Sequence, residues 1–142
     1  MSILALDLGR RRVGAAISHG VMAEALKPLF FDEHNPGAFY RELGQIIEAQ
    51  KVEKIVIGLP LGRAGKETAQ GRWTRERARE ISVRFHLSVS FAEESFSSFQ
   101  AKENLKGEVK PKKLIRRHGI LDSESAKVIL EQYLHEAGHP SL

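Results

Sequence analysis

Asp7 constrains this sequence more than any other residue, because it ends the short apolar run Ile3 to Leu6. Such a run is expected of a strand buried on both faces. A carboxylate placed there is costly unless it is paired or bound to a metal. Gly9 and Gly14 then bracket Arg10, Arg11 and Arg12, and Val13 to Ile17 is apolar again. The stretch from Ile3 to Ser18 therefore reads as a β-hairpin with a basic turn. An acid at the end of a buried strand, beside a cationic turn, suits a polyanion held near a metal. The plainer alternative is a polar strand end beside a solvated turn.

The length of 142 residues fits one domain, expected over 1–138 with a short tail at 139–142, and is enough to bury a core without staples. No cysteine is present, which excludes disulfides and thiolate metal sites and fits a reducing, cytoplasmic setting. No apolar run is long enough to span a membrane, and Ile3 to Leu6, interrupted by Asp7, is too short for a signal peptide. A formal net charge of +4 makes nucleic acid the expected partner. A membrane surface is the other polyanion such a charge would suit.

Farther along, Ala25 to Phe31 carries Leu26, Leu29, Phe30 and Phe31 but is interrupted by Pro28, which demotes it to an edge strand. The first three strands are thus expected to form an antiparallel meander with this one outermost. Asn35 and Pro36 make a helix start, as N-cap and first helical residue, and Phe39, Leu43, Ile46 and Ile47 follow at helical spacing. Lys54 to Ile57 reads as a second central strand, closed by the turn from Gly58 to Gly62. Helix and strand alternate from there, which implies parallel pairing through crossover helices.

Glu67 to Phe85 is expected to be the longest helix. Thr74, Ala78, Ile81 and Phe85 share its inner face, with Trp73 beside them as a core residue. Arg72, Arg75 and Arg79, interleaved with Glu76 and Glu80, read as a solvated face. Leu87 to Ala92 is a strand ending at Glu93 and Glu94, and Ser95 to Leu105 suits a short helix. The segment from Lys106 to His118 carries Lys110, Lys112, Lys113, Arg116 and Arg117, and Gly107 and Pro111 make it a loop. That loop is either plainly solvated or in contact with phosphates. The last helix starts near Asp122 and carries the stripe Ala126, Ile129, Leu130, Tyr133, Leu134 and Ala137. Asp122, four residues before Ala126, points along the buried face; the alternative role is an N-cap. Gly138 and Pro140 end this helix.

In the order β-β-β-α-β-α-β-α, Asp7 ends the first strand, Glu94 follows the last, and Asp122 opens the final helix. Ligands of such sheets gather at the carboxyl ends of the strands. Carboxylates brought together there repel one another unless one is protonated or a cation lies between them. Oxygen donors without cysteine suit Mg²⁺ or Mn²⁺ rather than zinc. Two such ions about 4 Å apart would activate a water and stabilise the leaving oxygen of a phosphodiester. Neighbouring arginines and lysines would hold the strand to be cut.

Asp7-Leu-Gly9, the basic turn to Gly14, Gly58-Leu-Pro-Leu61, Glu93-Glu94-Ser-Phe-Ser-Ser98, and Asp122 followed by Ala126 together resemble the YqgF (RuvX) family. The resemblance runs over nearly the whole chain, with the motifs in the right order and at the right spacing. Its members are bacterial RNase H-like proteins regarded as nucleases that trim the 5′ end of pre-16S ribosomal RNA; earlier descriptions made them Holliday junction resolvases. The fold implied is an RNase H-like α/β domain with a five-stranded mixed sheet of order 3-2-1-4-5 flanked by helices. Its first three strands are antiparallel and the last two parallel to the first. The resemblance makes Asp7, Glu94 and Asp122 the catalytic, metal-binding acids, with Glu93 supporting them from behind. Ser95, Gly62 and His19 depart from the arginine, asparagine and aspartate common in the family, which bears on substrate positioning.

The resulting expectation is a Mg²⁺- or Mn²⁺-dependent endonuclease acting in ribosome biogenesis on pre-rRNA or a pre-ribosomal particle. Arg10, Arg11, Arg12, Lys110, Lys112, Lys113, Arg116 and Arg117 would contact the substrate. One alternative is an endonuclease for branched DNA, whose paired cuts require a stable dimer; the sequence suggests a monomer or weak homodimer. Another is a non-catalytic RNA-binding ribosome-assembly factor. A third is an ATP-binding fold, because Asp-x-Gly also opens the phosphate-binding hairpin of actin-like kinases. Those proteins use two such domains, and 142 residues leave room for one.

Overall fold

The apolar runs and turns of the sequence resolve, in a computed structural model that describes residues 1–60, 66, 68–93 and 120–138, into one mixed sheet between helices. Strands β1 (Ser2–Leu8), β2 (Arg12–Ser18) and β3 (Ala23–Phe30) precede helix α1 (Pro36–Gln50) and strand β4 (Val52–Leu59). Helix α2 (Ala69–Phe85), strand β5 (Ser88–Glu93) and helix α3 (Ile120–Gly138) follow. The sheet order is β3-β2-β1-β4-β5. The first three strands are antiparallel, and β4 and β5 run parallel to β1 and β4 respectively, as expected. Among the described residues no helix is long and apolar enough to cross a membrane.

Strand β1 shows why its sequence is apolar without alternation. Leu4, Leu6 and Leu8 face a core shared with α1 and α2, while Ile3 and Ala5 face Ala126, Ile129 and Leu130 of α3. With helices on both faces, every position from Ile3 to Leu6 is buried. The α3 face is built from small residues, Ala5 and Ala16, which let the helix lie close to the sheet.

Strand β3 is the edge, as Pro28 implied. Val13 pairs with Leu29 and Ala15 with Leu26, so Lys27 and Pro28 both lie opposite Gly14. This bulge places the missing N–H of Pro28 where the ladder is already interrupted. It also turns Leu26 and Leu29, three residues apart, toward the same core, which a regular strand of period two cannot do.

The start of α1 at Asn35 and Pro36 holds, and two expectations about the other helices change. Asn35 is the N-cap residue of α1, but its side chain makes no capping bond; Asp32 shapes the turn instead, its Oδ1 accepting from the His34 N–H at 2.9 Å. Helix α2 begins at Ala69 rather than Glu67, because the Thr68 hydroxyl accepts from the Gly71 N–H at 3.0 Å and closes the first turn. Among the described helices α3, with 19 residues, exceeds α2, with 17, and Ile120 and Leu121 are already helical. Asp122 therefore lies inside the helix and is not the cap.

Tyr40 is packed between α1 and α2, 5% exposed, with the Arg84 guanidinium 4.1 Å from its ring centroid. Burial, reinforced by the nearby Glu80 carboxylate, pushes the phenol from 10.0 up to about 12. The fold thus favours the neutral phenol, and that preference is fully present below pH 10 and is lost as pH rises through about 12. Urea unfolding at pH 9 and near pH 11.5 should show the wild type losing up to about 2 kcal/mol that Tyr40→Phe retains. Parallel losses in both proteins would show that another group sets the alkaline limit.

Candidate active site

Asp7 lies one residue from the end of β1, on the same face as Ile3 and Ala5, and is half-buried. Across the antiparallel ladder it pairs with Gly14. On the other side Leu6 pairs with Ile57, so the next position brings Asp7 level with Gly58 of β4. Gly58 in turn pairs with Ala92 of β5. The carboxylate thus stands on a floor of two glycines and an alanine. Glycines at such positions permit close approach to the strand backbones.

Helix α3 runs antiparallel to β1 across this face. Its later part is fixed by Tyr133, whose ring lies 5.2 Å from Lys54 Nζ, and Lys54 pairs with Ile3 at the start of β1. Its middle is fixed by Ala126, Ile129 and Leu130 against Ala5 and Val56. Going back eleven residues from Tyr133 to Asp122 covers about 16 Å of helix. The four residues from Ile3 to Asp7 cover about 13 Å of strand in the same direction. The backbone of Asp122 is therefore brought to the end of the sheet where Asp7 stands. Beside it Ser123 and Ser125 are buried, and the Ser123 hydroxyl has no hydrogen-bond partner among the described residues.

Strand β5 finishes at the same end, with Glu93 paired to Leu59. Glu94, the next residue, lies outside the described residues, as do Lys110, Lys112, Lys113, Arg116 and Arg117 of the basic segment. Leu61, Gly62, Ser95 and the helix expected over 95–105 also fall outside them. Among the described residues no three His, Asp or Glu side chains gather into a group that could hold a metal; of the expected acids only Asp7 has a described side chain, and its carboxylate oxygens suit a hard divalent cation.

The basic turn divides its three arginines. Arg10 Nε donates to Gln70 Oε1 at 3.1 Å, and its guanidinium lies 5.1 Å from the Trp73 ring centroid. Arg11 is exposed, and its carbonyl accepts from the Phe31 N–H at 2.8 Å. Arg12 begins β2, half-buried, opposite Phe30. The turn is closed by the Gly9 N–H donating to the Arg12 carbonyl at 2.9 Å. A Cβ on Gly9 would fall 2.4 Å from that carbonyl oxygen.

Trp73 packs edge-on against Phe31 at 5.9 Å, as a core residue should, yet its ring also meets Arg10 and, at 5.9 Å, Arg77. Sequence reasoning missed the contact with Arg10, since the partners are distant in the chain and neither carries a local signal. On the outer face of α2, the Arg75 guanidinium lies 5.1 Å from the ring of Phe91. His19 is far from the site. It joins Ser2 Oγ, at 2.7 Å, to Gln50 Oε1, at 2.8 Å, at the opposite end of β1. Its departure from the family pattern is therefore local to that end.

The family model described as "RuvX: Holliday junction resolvase" matches residues 1–136. A protein of Maridesulfovibrio salexigens named "Putative pre-16S rRNA nuclease" is 36% identical over 137 residues, covering 96% of this chain and 100% of its own length. A protein of the same name from Sulfurihydrogenibium sp. is 35% identical over 136 residues, covering 93% of this chain and 88% of its own. Among solved structures, Thermus thermophilus RuvC in complex with Holliday junction substrate is similar in fold, with a TM-score of 0.63 over 98% of this chain and 96% of that one, at 14% identity.

Proposed function

The chain belongs to the RuvX family, and from that premise we propose that it is a divalent-metal-dependent endonuclease that hydrolyses phosphodiester bonds of pre-16S rRNA in the cytoplasm during ribosome biogenesis. The observation that carries this reading is Asp7. It is a half-buried carboxylate at the carboxyl end of the parallel strands, between Gly14 and Gly58, at the end where α3 begins. A binding protein has no need of an acid at that position, since it would repel the phosphates that the basic turn attracts.

In this reading Asp7, Glu94 and Asp122 hold Mg²⁺ or Mn²⁺, and Glu93 supports them. The metal, when bound, neutralises phosphate charge and makes water a competent nucleophile near neutral pH. Gly14 and Gly58 leave room for the substrate backbone over the sheet end. Arg11 and Arg12 orient that backbone by meeting its phosphates, and Lys110, Lys112, Lys113, Arg116 and Arg117 extend the same role. Residues 1–138 act as a single domain, with 139–142 a tail. Replacing Arg11 and Arg12 by alanine should weaken RNA binding and lower the slope of log K against log salt by about one per lost contact. An unchanged slope would remove both residues from the interface.

The family description also favours a second reading, cleavage of branched DNA. One experiment compares the two: a labelled 16S precursor fragment and a four-way DNA junction are offered to the protein with Mg²⁺, Mn²⁺ or chelator. Metal-dependent cutting of the RNA leader, with the junction intact, is expected. Preferential cutting of the junction would make the protein a resolvase. Salt-sensitive RNA binding without cleavage would make it an assembly factor.

A further inference from the structure

We propose that Arg10 is a positioning residue, which together with Gln70 docks the Gly9–Arg12 turn onto helix α2 and so fixes the strand end that carries Asp7. For its kinetic consequence this rests on the nuclease reading above. It reverses the expectation that Arg10 meets substrate phosphates.

The clamp has two points, both on Gln70 in the first turn of α2. Its amide oxygen receives Arg10 Nε at 3.1 Å, and its amide nitrogen donates to the carbonyl of Leu8, the residue after Asp7, at 3.4 Å. One side chain thereby ties the turn and the end of β1 to the same helix, 60 and 62 residues away in sequence. The Arg10 guanidinium is held a second time against Trp73, which stands three residues after Gln70 and so on the same face of α2. Trp73 also packs on Phe31, whose N–H holds the Arg11 carbonyl. The start of α2 is itself fixed by its Thr68 cap. Helix α2 packs on the face of Leu4, Leu6 and Leu8, opposite the face of Asp7. The clamp therefore holds the strand end from behind and leaves the ligand side open.

A charge contact and a clamp make different demands. Lysine in place of Arg10 keeps the charge but lacks the planar fork that reaches Gln70 while lying over an indole. Gln70 carries no charge, so its loss cannot subtract the counterion release that an arginine–phosphate contact brings. Trp73 is the single tryptophan of the chain, so intrinsic fluorescence reports on the clamp whether or not RNA is cut.

The test compares wild type, Arg10→Lys, Arg10→Ala, Gln70→Ala and the Arg10→Ala/Gln70→Ala double variant. Tryptophan emission, RNA-cleavage kcat and KM, and the salt slope of RNA binding are measured, with folding checked by circular dichroism. Arg10→Ala and Gln70→Ala are expected to shift the emission and to lower kcat by about tenfold, with KM and salt slope unchanged. Arg10→Lys should not restore kcat, and the double variant should be no worse than either single one. Loss of affinity and of about one unit of salt slope in Arg10→Ala alone, with Gln70→Ala like wild type, would make Arg10 a phosphate contact and overturn the proposal. Unshifted emission in both single variants would also overturn it, whatever the activity. If wild type cuts no RNA, the nuclease reading fails, and the emission and salt-slope arms still decide the clamp.

Discussion

Changing Asp7 to asparagine is expected to lower metal-dependent RNA cleavage by on the order of 10³-fold or more, with the fold intact. Asparagine keeps the shape of the side chain and fits the same floor of Gly14, Gly58 and Ala92. It removes the negative charge that would hold a hard cation, and an amide oxygen is a weaker ligand for such an ion than a carboxylate. A half-buried carboxylate is held there at a desolvation cost. The variant should therefore melt at the same temperature as wild type or above it. Cleavage rates in Mg²⁺ and in Mn²⁺, measured beside thermal melting, check both halves. Activity within tenfold of wild type would remove Asp7 from the chemistry, and a large drop in melting temperature would make its role structural.

Gly9→Ala should be the most damaging single methyl in the basic turn. The added Cβ would lie 2.4 Å from the Arg12 carbonyl oxygen, which is backbone and cannot swing aside. Relief requires the turn to open, which sacrifices the Gly9 N–H bond to that same carbonyl. A cost of roughly 2–4 kcal/mol is expected, or a fall in melting temperature of about 5–15 °C. Because the turn follows Asp7 directly, cleavage should fall with it. Gly20 supplies the control: a Cβ there meets nothing within 4 Å, so Gly20→Ala should stay within about 0.5 kcal/mol of wild type. Equal melting of the two variants would show that the turn yields more easily than its geometry suggests.

The fold was legible where a residue's neighbours in sequence report its surroundings. Ile3 to Leu6 and Ile55 to Ile57 are apolar on both faces because helices cover both, and Pro28 marks an edge because it has no N–H to give. The place of Asp7 was legible for the same reason, as an acid closing an apolar run. Helix ends were less so. The Thr68 cap depends on local backbone geometry that several residues satisfy equally well. Least legible was the division of labour among Arg10, Arg11 and Arg12. They look alike in sequence, and only the approach of Gln70 and Trp73 from α2 distinguishes them.

The bulge in β3 also bears on how the molecule lives among its own copies. An outermost strand is a row of unspent donors and acceptors, an invitation for another chain to continue the ladder. Here the row is broken at Lys27 and Pro28, and Glu24 and Lys27 stand exposed along it. A strand arriving from solvent would meet charge, a missing donor and a step in register. The imperfection that aims Leu26 and Leu29 into the core therefore also keeps this side of the sheet from seeding fibrils.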